Sequence, residues 1–436
     1  MAAQRTAHPA EAGQPSEGEA QLGPGEAQLP ELAAFLLALG RALVAAGAPV
    51  NEIEARLLTV AEAYGSPQAR ILVFPTFLQV VVEPGRATMT ELARPAGGAL
   101  RLDQIAALYE LVGRAEAGRV PVGEGGAAVA RVFAMRPRHG RAVTVAGHAI
   151  LTVGICLVLQ PTPGDLVLAA LLGVLVGLLR LVGARWGSLQ TILPVLAALV
   201  VSGLAFAAAV HGWVHADLRA VIAPLATFLP GAAVTTGVVE LSAGELVTGS
   251  SRLVAGTLQL LLLAFGILVG SHAAASPGPA RLGEYPHDLL GAWAPWLGVL
   301  VFGLGTAVYQ SAPRRQTGWL LLVLYAAWLG QWAGGRAFGG YVSGFTGALV
   351  MTIVACIAER LPSGPPALAS FLPAFWLLVP GALGLIGLTE YLTHAQAAGG
   401  HDLVAALAAT LSIALGVLCG YPTYRSVSRF LPRTAP

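Results

Sequence analysis

A chain of 436 residues that is 56% hydrophobic and only 11% charged, with a mean hydropathy of +0.71, cannot be soluble throughout, because soluble domains carry about 25% charged residues. The formal charge of +2 says little about partners. All 25 basic residues are arginine, however, and a chain without lysine has no Schiff-base lysine and no P-loop lysine, which argues against ATP-driven work by this polypeptide.

Residues 1–30, rich in Ala, Glu, Gly, Pro and Gln, read as a disordered tail rather than a signal peptide, since no basic stretch precedes an apolar one. Residues 31–120 read as a small α+β domain. Leu32 to Ala46 forms a helix closed by Gly47. Pro49 opens a second helix with an apolar stripe of Ile53, Leu57, Val60, Ala61 and Tyr64. Ile71–Phe74, Phe77–Val82 and Ala87–Leu92 have the β-branched and aromatic character of strands, with Pro75 and Glu83-Pro84-Gly85 between them. Leu102, Ile105, Tyr109 and Val112 return to helical spacing. The predicted order is α-α-β-β-β-α, followed by a basic linker over 121–141.

From residue 142 onward the chain predicts ten membrane spans: 142–160, 163–183, 188–210, 220–241, 251–271, 291–311, 317–334, 339–358, 368–392 and 402–421. Each is close to the roughly 20 residues that cross about 30 Å of hydrocarbon. Arginines crowd one set of flanks, among them Arg131, Arg136, Arg138, Arg141, Arg185, Arg252, Arg314, Arg315 and Arg360. The opposite flanks hold only Arg219, Arg281 and Arg336. That bias puts both termini in the cytoplasm, including the tail 423–436.

Residues 228–270 and 378–420 align without a gap at an offset of 150. Pro230-Gly231-Ala232 recurs as Pro380-Gly381-Ala382, Glu240 as Glu390, and Gly266 and Gly270 as Gly416 and Gly420. A five-span repeat contains an odd number of crossings, so the second copy enters upside down. The expected fold is therefore a mainly α membrane protein of ten transmembrane helices, arranged as two inverted five-helix repeats (142–275 and 291–422), behind a small cytoplasmic α+β domain.

Pro230 and Pro380 each remove a backbone donor inside a span, and Gly231 and Gly381 let the chain bend there. The functional reading is a pair of broken helices whose free backbone groups, with Thr235 and Thr236, contact a polar substrate. The plainer alternative is a kink relieved by packing. Glu240 and Glu390 are carboxylates inside spans, where inserting a charged side chain costs about 2.5–3.5 kcal/mol, so they are candidates for proton coupling; their position near helix ends is the competing explanation. His211 and His215, with Asp217 close by, have a spacing that can bind zinc, but interfacial histidines explain them as well, and no metal is expected. Glu52 and Glu54 suit the positive end of the second helix. Cys156, Cys356 and Cys419 read as small core hydrophobes. No enzyme fingerprint is present, so neither a catalytic residue nor a cofactor is expected.

Gly40-Arg41-Ala42-Leu43, Gly47-Ala48-Pro49, Glu54, Tyr64-Gly65 and Phe74-Pro75, together with the run from Pro230-Gly231 through Glu240, Gly249, Arg252 and Leu253 to Gly266, resemble the threonine/serine exporter family. The resemblance implies a secondary exporter of small hydroxy amino acids driven by the proton motive force, in a bacterial inner membrane. A split form within the family is linked to the dicarboxylate succinate. The family signature usually has aspartate where this chain has Glu240. Expected partners are a small solute, protons and lipid, with no nucleic acid; self-association into a homo-oligomer is compatible with the sequence. Two rivals remain: export of a dicarboxylate, and a membrane-anchored hydrolase with its activity in the N-terminal domain.

Overall fold

The computed structural model describes residues 28–74, 76–83, 87–91, 99–159, 162–212, 218–274, 290–361, 363–378 and 396–428. It is mainly helical. The N-terminal unit is built around α1 (Gln28–Ala46), whose Leu32, Phe35, Leu36, Leu39 and Leu43 are all buried. A helix apolar on nearly every side must be surrounded, and α1 is: by α2 (Val50–Ala63), a three-stranded antiparallel sheet and α4 (Val122–Phe133). The chain turns into α2 at Gly47, which takes a left-handed φ of +83°. The sheet has the order β1 (Arg70–Val73), β2 (Leu78–Glu83), β3 (Ala87–Glu91). Alternate residues Ile71 and Val73, then Leu78, Val80 and Val82, turn to the core as strand periodicity requires.

Helix α3 (Leu102–Glu116) follows, and Gln104 donates to the carbonyls of Val132 and Phe133, tying it to the end of α4. Helix α4 occupies much of the segment that the sequence predicts to be a basic linker. Its apolar residues Ala128, Val129 and Val132 are buried, and the bare Gly125 rests on the Phe35 ring.

The rest of the described chain is α5 (Arg141–Val158), α6 (Pro163–Gly183), α7 (Gly187–Val210), α8 (Leu218–Leu225), a 3₁₀ turn (Ala226–Phe228), α9 (Gly231–Ser242), α10 (Leu246–Ala273), α11 (Ala294–Tyr309), α12 (Arg314–Phe338), α13 (Gly340–Glu359), α14 (Ala367–Leu377) and α15 (Gln396–Ser428). Among the described residues, seven helices are long and apolar enough to cross a membrane, and eight if the pair Ala220–Phe228 and Gly231–Ser242, bent by 55°, is one broken span. That count includes α1, so six of the ten predicted spans meet the test, or seven with the broken pair. Helices α11 and α14 are short, at 16 and 11 residues, and α12 carries Arg314, Arg315, Gln316 and Arg336, which lower its hydropathy.

Two sets of glycine contacts order this bundle. Gly147 meets Tyr309, Leu151 meets Gly305, Gly154 meets Phe302, and Val158 meets Gly298, so numbers rise along α5 as they fall along α11. The two helices lie antiparallel with backbones touching, which a side chain at these glycines would prevent. Gly266 of α10 packs on Val195 and Ala198 of α7, and Gly416 of α15 packs on Phe345 and Ala348 of α13. Every residue of the second contact is 150 positions beyond its counterpart in the first.

Candidate functional site

Pro230 cannot donate a backbone N–H, and the chain here runs from the 3₁₀ turn into α9 through the 55° bend. Ala226 still receives a bond from the Leu229 N–H at 3.1 Å. The next two carbonyls are taken by side chains from other helices. Arg180 on α6 donates Nη2 to Thr227 at 2.8 Å, and Gln259 on α10 donates Nε2 to Phe228 at 2.9 Å. The Arg180 guanidinium also stacks 3.9 Å above the centre of the Phe228 ring.

His148 completes this cluster. Gly173 and Gly177 of α6 present no side chain to α5, so the fully buried imidazole reaches the Gly173 carbonyl with Nδ1 at 2.9 Å and the Thr227 hydroxyl with Nε2 at 3.2 Å. A carbonyl only accepts, so Nδ1 carries the proton and Nε2 of the neutral ring accepts from Thr227. The ring of Tyr309, on α11, stands edge-on at 5.1 Å.

Glu240 lies elsewhere. It is nine residues beyond Gly231, about 14 Å along α9 at 1.5 Å per residue. There it is fully buried and its Oε1 accepts from the Val50 N–H at 3.1 Å, the first residue of α2 in the N-terminal unit. Arg252 on α10 brings Nε to 3.0 Å from Glu240 Oε2, a charge contact without hydrogen-bond alignment, and donates Nη2 to the Ala48 carbonyl at 3.1 Å. Gly237 and Gly249 make this possible: a methyl on either would fall within 3 Å of the other's carbonyl oxygen, so α9 and α10 are in backbone contact. The anion at the positive end of α2 is thus Glu240, brought from 190 residues away. Glu52 instead holds Arg56 at 2.9 Å.

Arg56 forms a second tie. Its Nη1 contacts Glu116 at 3.2 Å and its Nη2 approaches Glu359, the last residue of α13, at 3.7 Å. Burial works against the Arg56 charge, but Glu52 and Glu116 outweigh it and hold the guanidinium protonated more firmly than a free arginine. Burial pushes the Tyr109 phenol up, and Glu52, which accepts its proton at 3.0 Å, adds to this. Leu102 donates to the Gln310 carbonyl at 3.2 Å. The N-terminal unit therefore touches both the first and second runs of membrane-type helices.

Of the residues singled out from sequence, Pro230 and Gly231 sit at the break. Thr235 is buried one turn into α9 with no partner for its hydroxyl, and Thr236 is half-buried on the neighbouring face. Pro380, Gly381 and Glu390 lie outside the described residues, as do His215 and Asp217. A single amino acid cannot touch the α9 N-terminus and Glu240 together, because its own charges are only about 3 Å apart against about 14 Å of helix. Sequence reasoning missed His148 and Thr227. It also gave Arg180, three residues from the end of the predicted span 163–183, no role at the break.

Apolar helices around a broken span, with polar side chains gathered at the break, define a multi-pass membrane protein. The chain belongs to the family described as "Putative threonine/serine exporter", whose model matches residues 34–273, more than half of its length. Those residues include most of the N-terminal unit, the break and the Glu240–Arg252 contact. No curated protein and no solved structure matches the chain.

Proposed function

We infer that the protein is a proton-coupled secondary exporter of threonine, serine or a similar small polar amino acid. It works by alternating access between two inverted five-helix repeats in a bacterial inner membrane, with both termini in the cytoplasm. The observation that carries this reading is the antiparallel contact of α5 with α11, which are counterparts in the 150-residue duplication. Copies that run in opposite directions are what inverted repeats require, and the broken span beside that contact is the usual place for a solute. The described pairs α7–α10 and α13–α15 support the same symmetry.

Glu240 is the coupling carboxylate in this mechanism. Ionised, it holds Arg252 and the N-terminus of α2, which keeps the N-terminal unit seated over the cytoplasmic ends of the helices. Protonated, it loses both charge contacts, the unit loosens, and the cytoplasmic side opens towards Pro230, Gly231, Thr235 and Thr236. Pro380, Gly381 and Glu390 hold the matching positions in the second repeat. A dicarboxylate is the second reading of the cargo, favoured by the half-buried Arg180 beside the break.

Counterflow in proteoliposomes against a panel of amino acids and dicarboxylates identifies the cargo. With that cargo, Glu240→Gln is expected to abolish pH-dependent efflux while the protein still elutes as a folded species. Undiminished proton-driven export by the variant would remove Glu240 from the mechanism.

A further inference from the structure

Arg180 shares a face of α6 with Gly173, Val176 and Gly177, all buried, so its side chain is directed into the bundle. It donates to one carbonyl and covers one ring, and among the described residues it makes no ion pair. Its Nε–H is buried without an acceptor. A guanidinium inside a membrane bundle with no counter-charge is costly, and such residues mark solute or ion pathways.

The duplication supplies an internal control. In the second copy, the positions of His148 and Arg180 are Gly298 and Gly330. The carbonyl of Leu378, counterpart of Phe228, is held there by Gln331 Nε2 at 3.4 Å, as Gln259 Nε2 holds Phe228 in the first. A neutral amide suffices for that carbonyl in either copy, and the first copy alone adds a guanidinium beside it. Beyond the break, the first turn of α9 leaves N–H groups without intrahelical acceptors at its positive end.

We propose that Arg180 receives the carboxylate group of the exported solute, which seats between the guanidinium and the first turn of α9. This rests on the exporter reading of the break. His148 and Thr227 hold Arg180's surroundings in register, with the neutral imidazole fixed by Gly173 and by the Thr227 hydroxyl. Arginine suits this task because its planar N–H fork matches a carboxylate, whereas an ammonium offers a point charge. Thr235, one turn along α9 from Gly231, carries a buried hydroxyl without a partner and is placed to meet the polar end of the solute.

The test uses the full-length protein in proteoliposomes loaded with L-threonine, measuring counterflow of labelled L-threonine. L-Threoninol and L-threonine amide, which lack the carboxylate, are expected to compete at least tenfold less well than L-threonine, while succinate competes only if dicarboxylates are cargo. Arg180→Gln is expected to fold, as a glutamine amide can still donate to the Thr227 carbonyl, and to raise KM at least tenfold; Arg180→Lys recovers part of the loss. Equal competition by L-threoninol, or a KM within twofold of wild type for Arg180→Gln, overturns the inference and leaves the exporter reading standing. If wild type exchanges none of the panel, it is the exporter reading that fails. Thermal unfolding in sodium acetate against sodium chloride then decides Arg180: stabilisation by acetate that Arg180→Gln abolishes upholds it, and identical unfolding temperatures overturn it.

Discussion

Glu240→Ala is expected to loosen the start of α2 from the helix bundle. Among the described residues the substitution leaves Arg252 with only the Ala48 carbonyl, its side chain 17% exposed, and leaves the Val50 N–H without its acceptor at the buried start of α2. Removing one partner of a buried ion pair costs about 3–5 kcal/mol, chiefly because the other charge stays buried and uncompensated. Replacing both partners should therefore be milder than replacing one: Glu240→Ala with Arg252→Met is expected to recover much of the loss, since methionine covers similar surface without charge. Hydrogen exchange at the amides of α2, together with thermal unfolding of the single and double variants, gives the coupling. A coupling energy below about 0.5 kcal/mol would mean that the two residues act independently, and the latch would have to be abandoned.

Gly154→Leu is expected to prevent assembly of the bundle. A Cβ at Gly154 would collide with the backbone of Phe302, and a backbone, unlike a flexible side chain, cannot turn aside. Overpacking in an ordinary core costs about 1–3 kcal/mol. Here the whole α5–α11 contact has to open, because Leu151, Val158, Gly298 and Gly305 lie on the same line of approach. Gly318→Ala on α12 is the matching control: nothing lies within 4 Å of the added methyl, and helix propensity favours alanine by about 1 kcal/mol. Size-exclusion profiles should show loss of the monodisperse peak for Gly154→Leu and an unchanged or sharper one for Gly318→Ala. A well-folded Gly154→Leu protein would mean that α5 and α11 do not touch as described.

What could be read from the sequence is what short-range chemistry records. Apolar runs announced membrane helices, the β-branched and aromatic runs over 71–74 and 77–82 announced strands, and Pro230-Gly231 announced the break, because each depends on neighbours a few residues apart. The offset of 150 was legible for the same reason, as one set of packing glycines written twice. Helix α4 was lost behind the arginines that follow it, and α12 is more polar than a simple hydropathy count accepts.

Only the tertiary structure decided which polar groups meet. Glu240 looked like a carboxylate at the end of a span, yet its partner is the first amide of a helix 190 residues earlier. Nothing in their own neighbourhoods marked Gln259, Arg180 or His148, whose partners appear only where the bend at Pro230 brings Thr227 and Phe228 to them. The physical reason is that hydrophobic periodicity says which face of a helix turns inward. Which donors and acceptors then face one another is decided by how the glycine contacts slide the helices together, and that is a property of the assembled bundle.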